Sequence, residues 1–452
     1  MHSEPAAIPE GLGAVPIVVS DPVPLEGADV SDPVDVPSAI ANRPVSQASQ
    51  GGAPDRSSLN QNNRISVQSV ASKGSNLSQS SVKSGKDRRM SRTSKHAVSQ
   101  AQVRDVITHV LGQKKDQDRA VCVPALTEAV LYCGVFDGHG RNGEVRSELA
   151  TTEIPRYLRE ELEKKPGSAY TEQDFYDGLD VAYSKFHSQL DKLYEDTVLK
   201  HAREENARVK AEFNGGSPQP QQDVDTMRLP QDGGTTATSV VISGDLIVIG
   251  WVGDSRAVLA RRIAQKRNLL SRFSSRLKIA TLTDDHNVAA NLETEMKRVE
   301  EQGGEIYGKH IAGDRVEGML QLTRSLGDSP FHRTGLVLAK PGLVTVPLME
   351  DRGDVAPLLF LMVASDGLWD YFSNKEAIEF VYKRLKKNRY HEVRDEALRL
   401  DILTDVARSI ENEAVRRSVD RRSHQDDITV LLLTFEEGWK LEEKGASGGV
   451  AF

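Results

Sequence analysis

Val130-Leu131-Tyr132-Cys133-Gly134-Val135-Phe136-Asp137-Gly138-His139-Gly140 is the stretch from which the rest of the chain is read. Strand-forming apolar residues run up to an acid and then give way to Gly-His-Gly. A run bounded in this way predicts a buried strand ending in a turn. The turn holds a carboxylate, a backbone carbonyl and an imidazole within four residues. Taken alone, those four residues describe a polar hairpin turn as well as they describe a site.

Working outward, Arg119 to Val123 and Ala129 to Phe136 form a predicted strand pair. A helix is expected from about Asn142 to Lys164, closed by Pro166-Gly167. Phe175, Leu179, Ala182, Phe186, Leu190 and Leu193 recur at helical spacing, a core-facing stripe whose charged continuation to about Lys210 extends the helix. Residues 214–230 read as an exposed loop. Thr235 to Ile242 and Leu246 to Val252 flank the hairpin turn Ser243-Gly244-Asp245. Gly253-Asp254-Ser255-Arg256 makes another turn before a strand at Ala257 to Ala260, and Arg261 to Lys278 is a basic surface loop. A helix over Asn287 to Glu301 is stopped by Gly303-Gly304, and Gly318 to Leu326 reads as a short strand. Leu358 to Ala364 is a strongly apolar strand ending in Ser365-Asp366-Gly367, the arrangement of the opening stretch repeated. Helices follow over Asn374 to Leu385 and Asp395 to Arg417. Ser423 to Asp427 leads into a last strand, Ile428 to Phe435. Many strands with interspersed helices predict an α+β domain of packed sheets covered by helices.

The chain has 452 residues and a hydrophobic share of 38%, low for a wholly globular chain of this length. Part of the chain is therefore not expected to form core, and residues 1–100 are the clearest such part. They are first rich in Pro, Ala and Val, then in Ser, Gln and Asn and basic from Arg43, with no aromatic residue and no sustained period. A disordered arm is expected there. Arg88-Arg89-Met90-Ser91 within it matches a basophilic-kinase site, although such matches are common in Ser-rich basic linkers. The domain is expected over 101–436, with a flexible tail over 437–452. The net charge of −8 does not favour nucleic acid as the main partner, and none is expected. Cys122 and Cys133 sit in apolar strands and lack metal-ligand spacing, so free buried thiols and a reducing compartment are expected. The N-terminus has no signal-peptide or myristoylation pattern, and no apolar run is long enough to span a bilayer. An intracellular protein, cytoplasmic or nuclear and monomeric, is the expectation.

Asp137, Asp366 and Asp426 share one setting, each at the edge of an apolar strand. Gathering such carboxylates is unfavourable unless a cation neutralises them. An all-oxygen donor set points to a hard cation, Mg²⁺ or Mn²⁺, whereas the Cys and His clusters that suit zinc are missing. A carboxylate bridging two such ions would suit metal-assisted hydrolysis at phosphorus, and a neighbouring histidine could protonate the leaving oxygen.

In order along the chain stand Val135 to Gly140, Gly234-Thr235-Thr236-Ala237, Gly253-Asp254-Ser255-Arg256-Ala257, Asp285-His286, Leu322-Thr323-Arg324-Ser325-Leu326-Gly327-Asp328, Ala364 to Asp370 and Gln425 to Val430. With these motifs the chain resembles the metal-dependent serine/threonine protein phosphatases of type 2C, over roughly residues 105 to 436. The resemblance implies a central β-sandwich of two antiparallel sheets flanked by helices on both faces. It implies that phosphoserine or phosphothreonine proteins are hydrolysed by attack of metal-activated water, with two Mg²⁺ or Mn²⁺ ions and room for a third. Asp137 would bridge the metals, the carbonyl of Gly138 would ligate one, and Asp366 and Asp426 would hold the other, leaving Asp427 a structural role. His139 would be the general acid. Asp254 and Asp370 match acids of a weaker third-metal site, with turn capping as the alternative.

One departure concerns the phosphate grip. Where the family usually has an arginine before a Glu-Asp pair, this chain has Gly112-Gln113-Lys114-Lys115-Asp116-Gln117-Asp118. Asp118 matches the acid and Gln117 replaces the glutamate. Lys114 or Lys115 would stand in as a point charge without the bidentate fork. The alternative to an active enzyme is a phosphatase-like domain that binds phosphoproteins or a kinase without turnover. Retention of all three principal acids argues against it. Gly303 to Gly318 falls where the family carries a variable flap beside the site.

Overall fold

The structure, a computed structural model, describes residues 103–112, 115–165, 169–213, 228–263, 277–348, 357–423 and 425–439. The expected arm, most of the basic loop, Lys114 and most of the expected tail lie outside the described residues. The strands are β1 (Val103–Leu111), β2 (Asp118–Thr127), β3 (Val130–His139), β4 (Gly234–Thr235), β5 (Ala237–Ser243), β6 (Leu246–Val252), β7 (Arg256–Arg262), β8 (Leu277–Thr281), β9 (Glu305–Tyr307), β10 (His310–Ala312), β11 (Leu326–Gly327), β12 (Gly342–Pro347), β13 (Leu358–Ala364) and β14 (Ile428–Phe435). The helices are α1 (Gly143–Glu163), α2 (Glu172–Tyr194), α3 (Lys200–Phe213), α4 (Glu293–Glu301), α5 (Ser329–Arg333), α6 (Asp366–Trp369), α7 (Asn374–Lys387) and α8 (Glu396–Arg421).

Two antiparallel sheets form the sandwich that the resemblance implies. One runs β1-β14-β13-β7-β8; the other runs β11-β4-β3-β5-β6-β12, with β2 also on β3. The period of two along each strand sorts the side chains. Leu131, Cys133 and Val135 of β3 meet Leu361, Val363, Leu431 and Leu433 of the other sheet. Val130, Tyr132 and Phe136, between them in sequence, pack against Ile154, Leu158, Phe175 and Leu179 of α1 and α2. Phe360 and Met362 of β13 face Ile378, Val381 and Ile410 of α7 and α8.

Three local expectations are corrected. Asn287 to Glu301 is not one helix. Asn287 caps a 3-10 turn by accepting from Ala290 N–H, Asn291 turns left-handed at φ 50°, and α4 begins only at Glu293. Gly318 to Leu326 is not a strand beyond Leu326. Leu320, Leu322 and Arg324 make isolated bridges instead, to Ile311, Asn287 and Leu338. The packed chain also continues past residue 436. A helical turn over 436–439 buries Trp439 completely, and its Nε1–H donates to Leu359 O at 3.0 Å. Trp439→Ala is accordingly expected to cost about 3–5 kcal/mol, the range for deleting a buried large aromatic. A denaturant melt is the measurement, and an unchanged midpoint would return the boundary to 436.

Candidate active site

β3 and β13 belong to opposite sheets, yet both end at the same edge of the sandwich. At that edge the backbone is pinned closely. Asp137 N–H donates to Thr236 Oγ1 at 3.0 Å and Thr236 N–H donates back to Asp137 O at 2.8 Å. Asp118 of β2 lies opposite Asp137 in the ladder, and Gly138 and His139 pair with Thr235 and Gly234 of β4. From the other sheet, Asp366 opens α6 directly after β13, and Asp426 stands two residues before β14. β13 and β14 are neighbours, with Ala364 opposite Val430, so the two acids emerge side by side. The loops touch: a Cβ on Gly367 would meet Asp427 O at 2.0 Å.

A cavity of about 240 Å³ opens there. Lys115, Asp137, Gly138, His139, Asp254, Asp366 and Asp426 line it, with Asp232, Asp328 and, from the segment after β9, His310 and Met319. Of the residues expected at the site, Asp370 lies one turn beyond Asp366 and outside this lining. Asp118 lies just beneath the lining, buried. Lys114 falls outside the described residues.

The acids crowd one another. Burial pushes the Asp137 carboxyl well above its usual range, and Asp118, Asp366, Asp254 and Asp426 push it further. Burial does the same to Asp366, reinforced by Asp254, Asp370 and Asp426. Asp118 is raised to about 7 by burial, against hydrogen bonds from Ser365 and Thr429. Asp254 is raised to about 6, again by burial first, although Asn287 Nδ2 donates to it at 2.9 Å. The donor is a side-chain amide rather than a turn N–H, and Asp254 stands in the cavity wall, where a ligand is expected. Asp370 is also raised, by burial, with Lys309 opposing.

Among the described residues no three Asp, Glu, His or Cys side chains already form a compact metal-binding cluster. The acids line the walls and contact one another in pairs, Asp137 lying against Asp118 and Asp366. Several carboxyls held up in pKa by one another, with the carbonyl-bearing turn at Gly138 between them, form an all-oxygen donor set. A hard divalent cation would relieve their repulsion, and the donor set fits Mg²⁺ or Mn²⁺.

His139 is half-buried, and its Nε2 lies 2.7 Å from Asp328 Oδ2. Burial alone would lower the imidazolium, but the Asp328 carboxylate outweighs it and Asp254 adds to the effect, so the group is held above its ordinary value. Asp328 is itself buried and accepts from Ser325 Oγ–H at 2.5 Å. Sequence reasoning assigned Asp328 no role. Its signal was its place at the end of the Leu322 to Asp328 motif.

The departures upstream have structural counterparts. Gln117 Nε2 donates to Gly140 O and to Glu144 Oε2, both at 3.1 Å, and its N–H donates to the buried Asp427 at 2.8 Å. Asp427 thus braces the backbone at Gln117. Lys115 Nζ stands 3.8 Å from Asp426, both about half exposed. At Gly138 a Cβ would fall 2.4 Å from Gly143 O and 2.6 Å from Gln117 O. Both atoms are backbone and cannot swing aside, so Gly138→Ala is expected to cost roughly 1–3 kcal/mol in a thermal melt. An unchanged melting midpoint would mean that the turn is slack.

Comparison with known proteins gives a consistent picture. The family profile of protein phosphatase 2C matches residues 128–422. Protein phosphatase 1L of Bos taurus is 26% identical over 311 residues, covering 69% of this chain and 66% of its own length. Protein phosphatase 2C 50 of Oryza sativa subsp. japonica is 28% identical over 348 residues, covering 75% and 78%. The crystal structure of a serine-threonine phosphatase 2C from Toxoplasma gondii shares the fold at a TM-score of 0.53 and 18% identity, over 74% of this chain and 95% of that one.

Proposed function

Because the chain belongs to the protein phosphatase 2C family, we propose that it is an active, metal-dependent phosphatase of phosphoserine and phosphothreonine in proteins. The observation that carries this is the end of β3, which presents the crowded carboxyl of Asp137 and the Asp328-paired imidazole of His139 to one cavity. Asp137, Asp366, Asp426 and the Gly138 carbonyl are the groups to hold two ions of Mg²⁺ or Mn²⁺. Bound there, such ions supply an activated water and neutralise charge on the phosphoryl oxygens. His139, whose protonated form Asp328 favours, is the group to donate a proton to the departing side-chain oxygen. Lys115, close to Asp426, offers a single positive charge to the phosphate in place of a guanidinium fork. Asp254 and Asp370 are the groups available to a weaker third ion.

The test is phosphate release from a phosphoserine peptide. Turnover is expected with Mg²⁺ or Mn²⁺ and not in excess chelator. Full activity after chelation would overturn the proposal, and tight peptide binding without turnover in Mn²⁺ would point to the non-catalytic alternative.

A further inference from the structure

A second and larger cavity, about 640 Å³, adjoins the catalytic one. The two share a wall. Gly140 and Asp232 line the first, while Arg141, next in the chain, and Arg146, whose Nη2 donates to Asp232 at 2.7 Å, line the second. The volume falls in the range of small-molecule sites. Val145, Leu193, Val198 and Pro230 give it an apolar lining, and none of its lining residues is an acid. Val145 stays 42% exposed on this wall.

Three observations point to an anionic ligand. Arg141 is exposed and makes no hydrogen bond or ion pair with the described residues. α1, 21 residues long, starts at the cavity with Asn142 in a left-handed conformation (φ 57°) that gives no side-chain cap; Val145 and Arg146 N–H turn back to Asn142 O at 3.1 and 3.3 Å, and the Gly143 N–H is left without an acceptor among the described residues. Arg146 is only 3% exposed, and its Nε–H is buried with no acceptor among the described residues. On the opposite wall α2 passes into α3 through a π-helical turn, Glu195–Leu199, whose Thr197 and Val198 line the cavity. Such turns are rare and concentrate at functional sites.

We propose that this cavity binds a small amphipathic anion, an apolar body carrying a single carboxylate, sulfonate or phosphate. The head lies at Arg141 and the first turn of α1, and the body lies against Val145, Leu193 and Val198. Through Arg146 and Asp232 the ligand reaches the wall of the catalytic cavity, which makes the site a place to modulate turnover.

The probe is 8-anilinonaphthalene-1-sulfonate, titrated by fluorescence into the full chain in Mg²⁺. One saturable site is expected, with decanoate displacing the dye. Ala202→Trp, which fills the cavity from α3, and Arg141→Glu, which reverses the charge, are each expected to weaken the dye at least tenfold with the circular dichroism unchanged. Equal dye affinity in wild type and both variants, or no saturable binding in wild type, would overturn the proposal. Dye binding is read without turnover, so this result is independent of whether the chain is an active phosphatase.

Discussion

Asp137→Asn is expected to cut Mg²⁺-dependent turnover of a phosphopeptide by roughly 10³-fold or more, and to make the metal-free protein more stable at neutral pH. The first effect follows because Asp137 is the carboxylate proposed to hold the ions, which would stabilise the transition state by several kcal/mol. The second has the opposite sign and a separate cause. The Asp137 carboxyl ordinarily titrates at 3.8, but burial and four neighbouring acids hold it well above that in the folded chain. The stability such a group contributes is complete below 3.8 and is lost as pH rises through its folded value. Asp118 gives the scale. It is raised from 3.8 to about 7 for the same reason, burial, with a like charge beside it. Denaturant melts in chelator at pH 5 and pH 7.5 check this. The wild type should weaken between the two, the variant should weaken less, and added Mg²⁺ should restore the wild type by mass action. A variant less stable than wild type in chelator at pH 7.5 would mean that the acids are not in conflict.

Asp328→Asn is expected to lower kcat on a phosphoserine peptide about 10²-fold, the usual share of a general acid, with KM little changed. Asparagine is the suitable replacement because residue 328 sits at φ 44°, a left-handed conformation that Asn tolerates. An aryl phosphate, whose leaving group needs little protonation, should be hydrolysed almost as fast as by wild type. The pH profile supplies the sign. A general acid must carry its proton, so the rate falls as pH rises through the His139 value. Asp328 is the main charge holding that value up against burial. Without it the alkaline limb moves to lower pH. Equal losses on both substrates, with no shift of the limb, would assign Asp328 a purely structural role.

The three principal acids were legible because each stands at one end of an apolar strand, where a carboxylate stands out against its neighbours. The strands of the sandwich were legible where the apolar run was unbroken, as in β3 and β13. β1 was not, because its polar residues Asp105 and His109 are buried: Arg399 Nε lies 2.7 Å from Asp105 and Glu411 Oε1 lies 2.8 Å from His109 Nδ1. Partners about 300 residues away hide a buried strand behind polar letters. β12 was missed as an edge strand that ends at Pro347. Asp328 was invisible as a partner because its role lies in a contact with His139 across 189 residues, and no local pattern encodes such a contact.

β1 and β14, the first and last strands of the domain, are hydrogen-bonded to each other, and β14 lies between β1 and β13. On the ribosome the five-stranded sheet therefore lacks an internal strand until nearly the whole domain has been synthesised. Pairing at such sequence separation is slow and leaves β1 and β13 with open edges meanwhile. Asp426 arrives with β14, so the acidic edge is assembled in the same step. A nascent chain that has not yet extended β14 lacks Asp426 and with it the complete acidic edge.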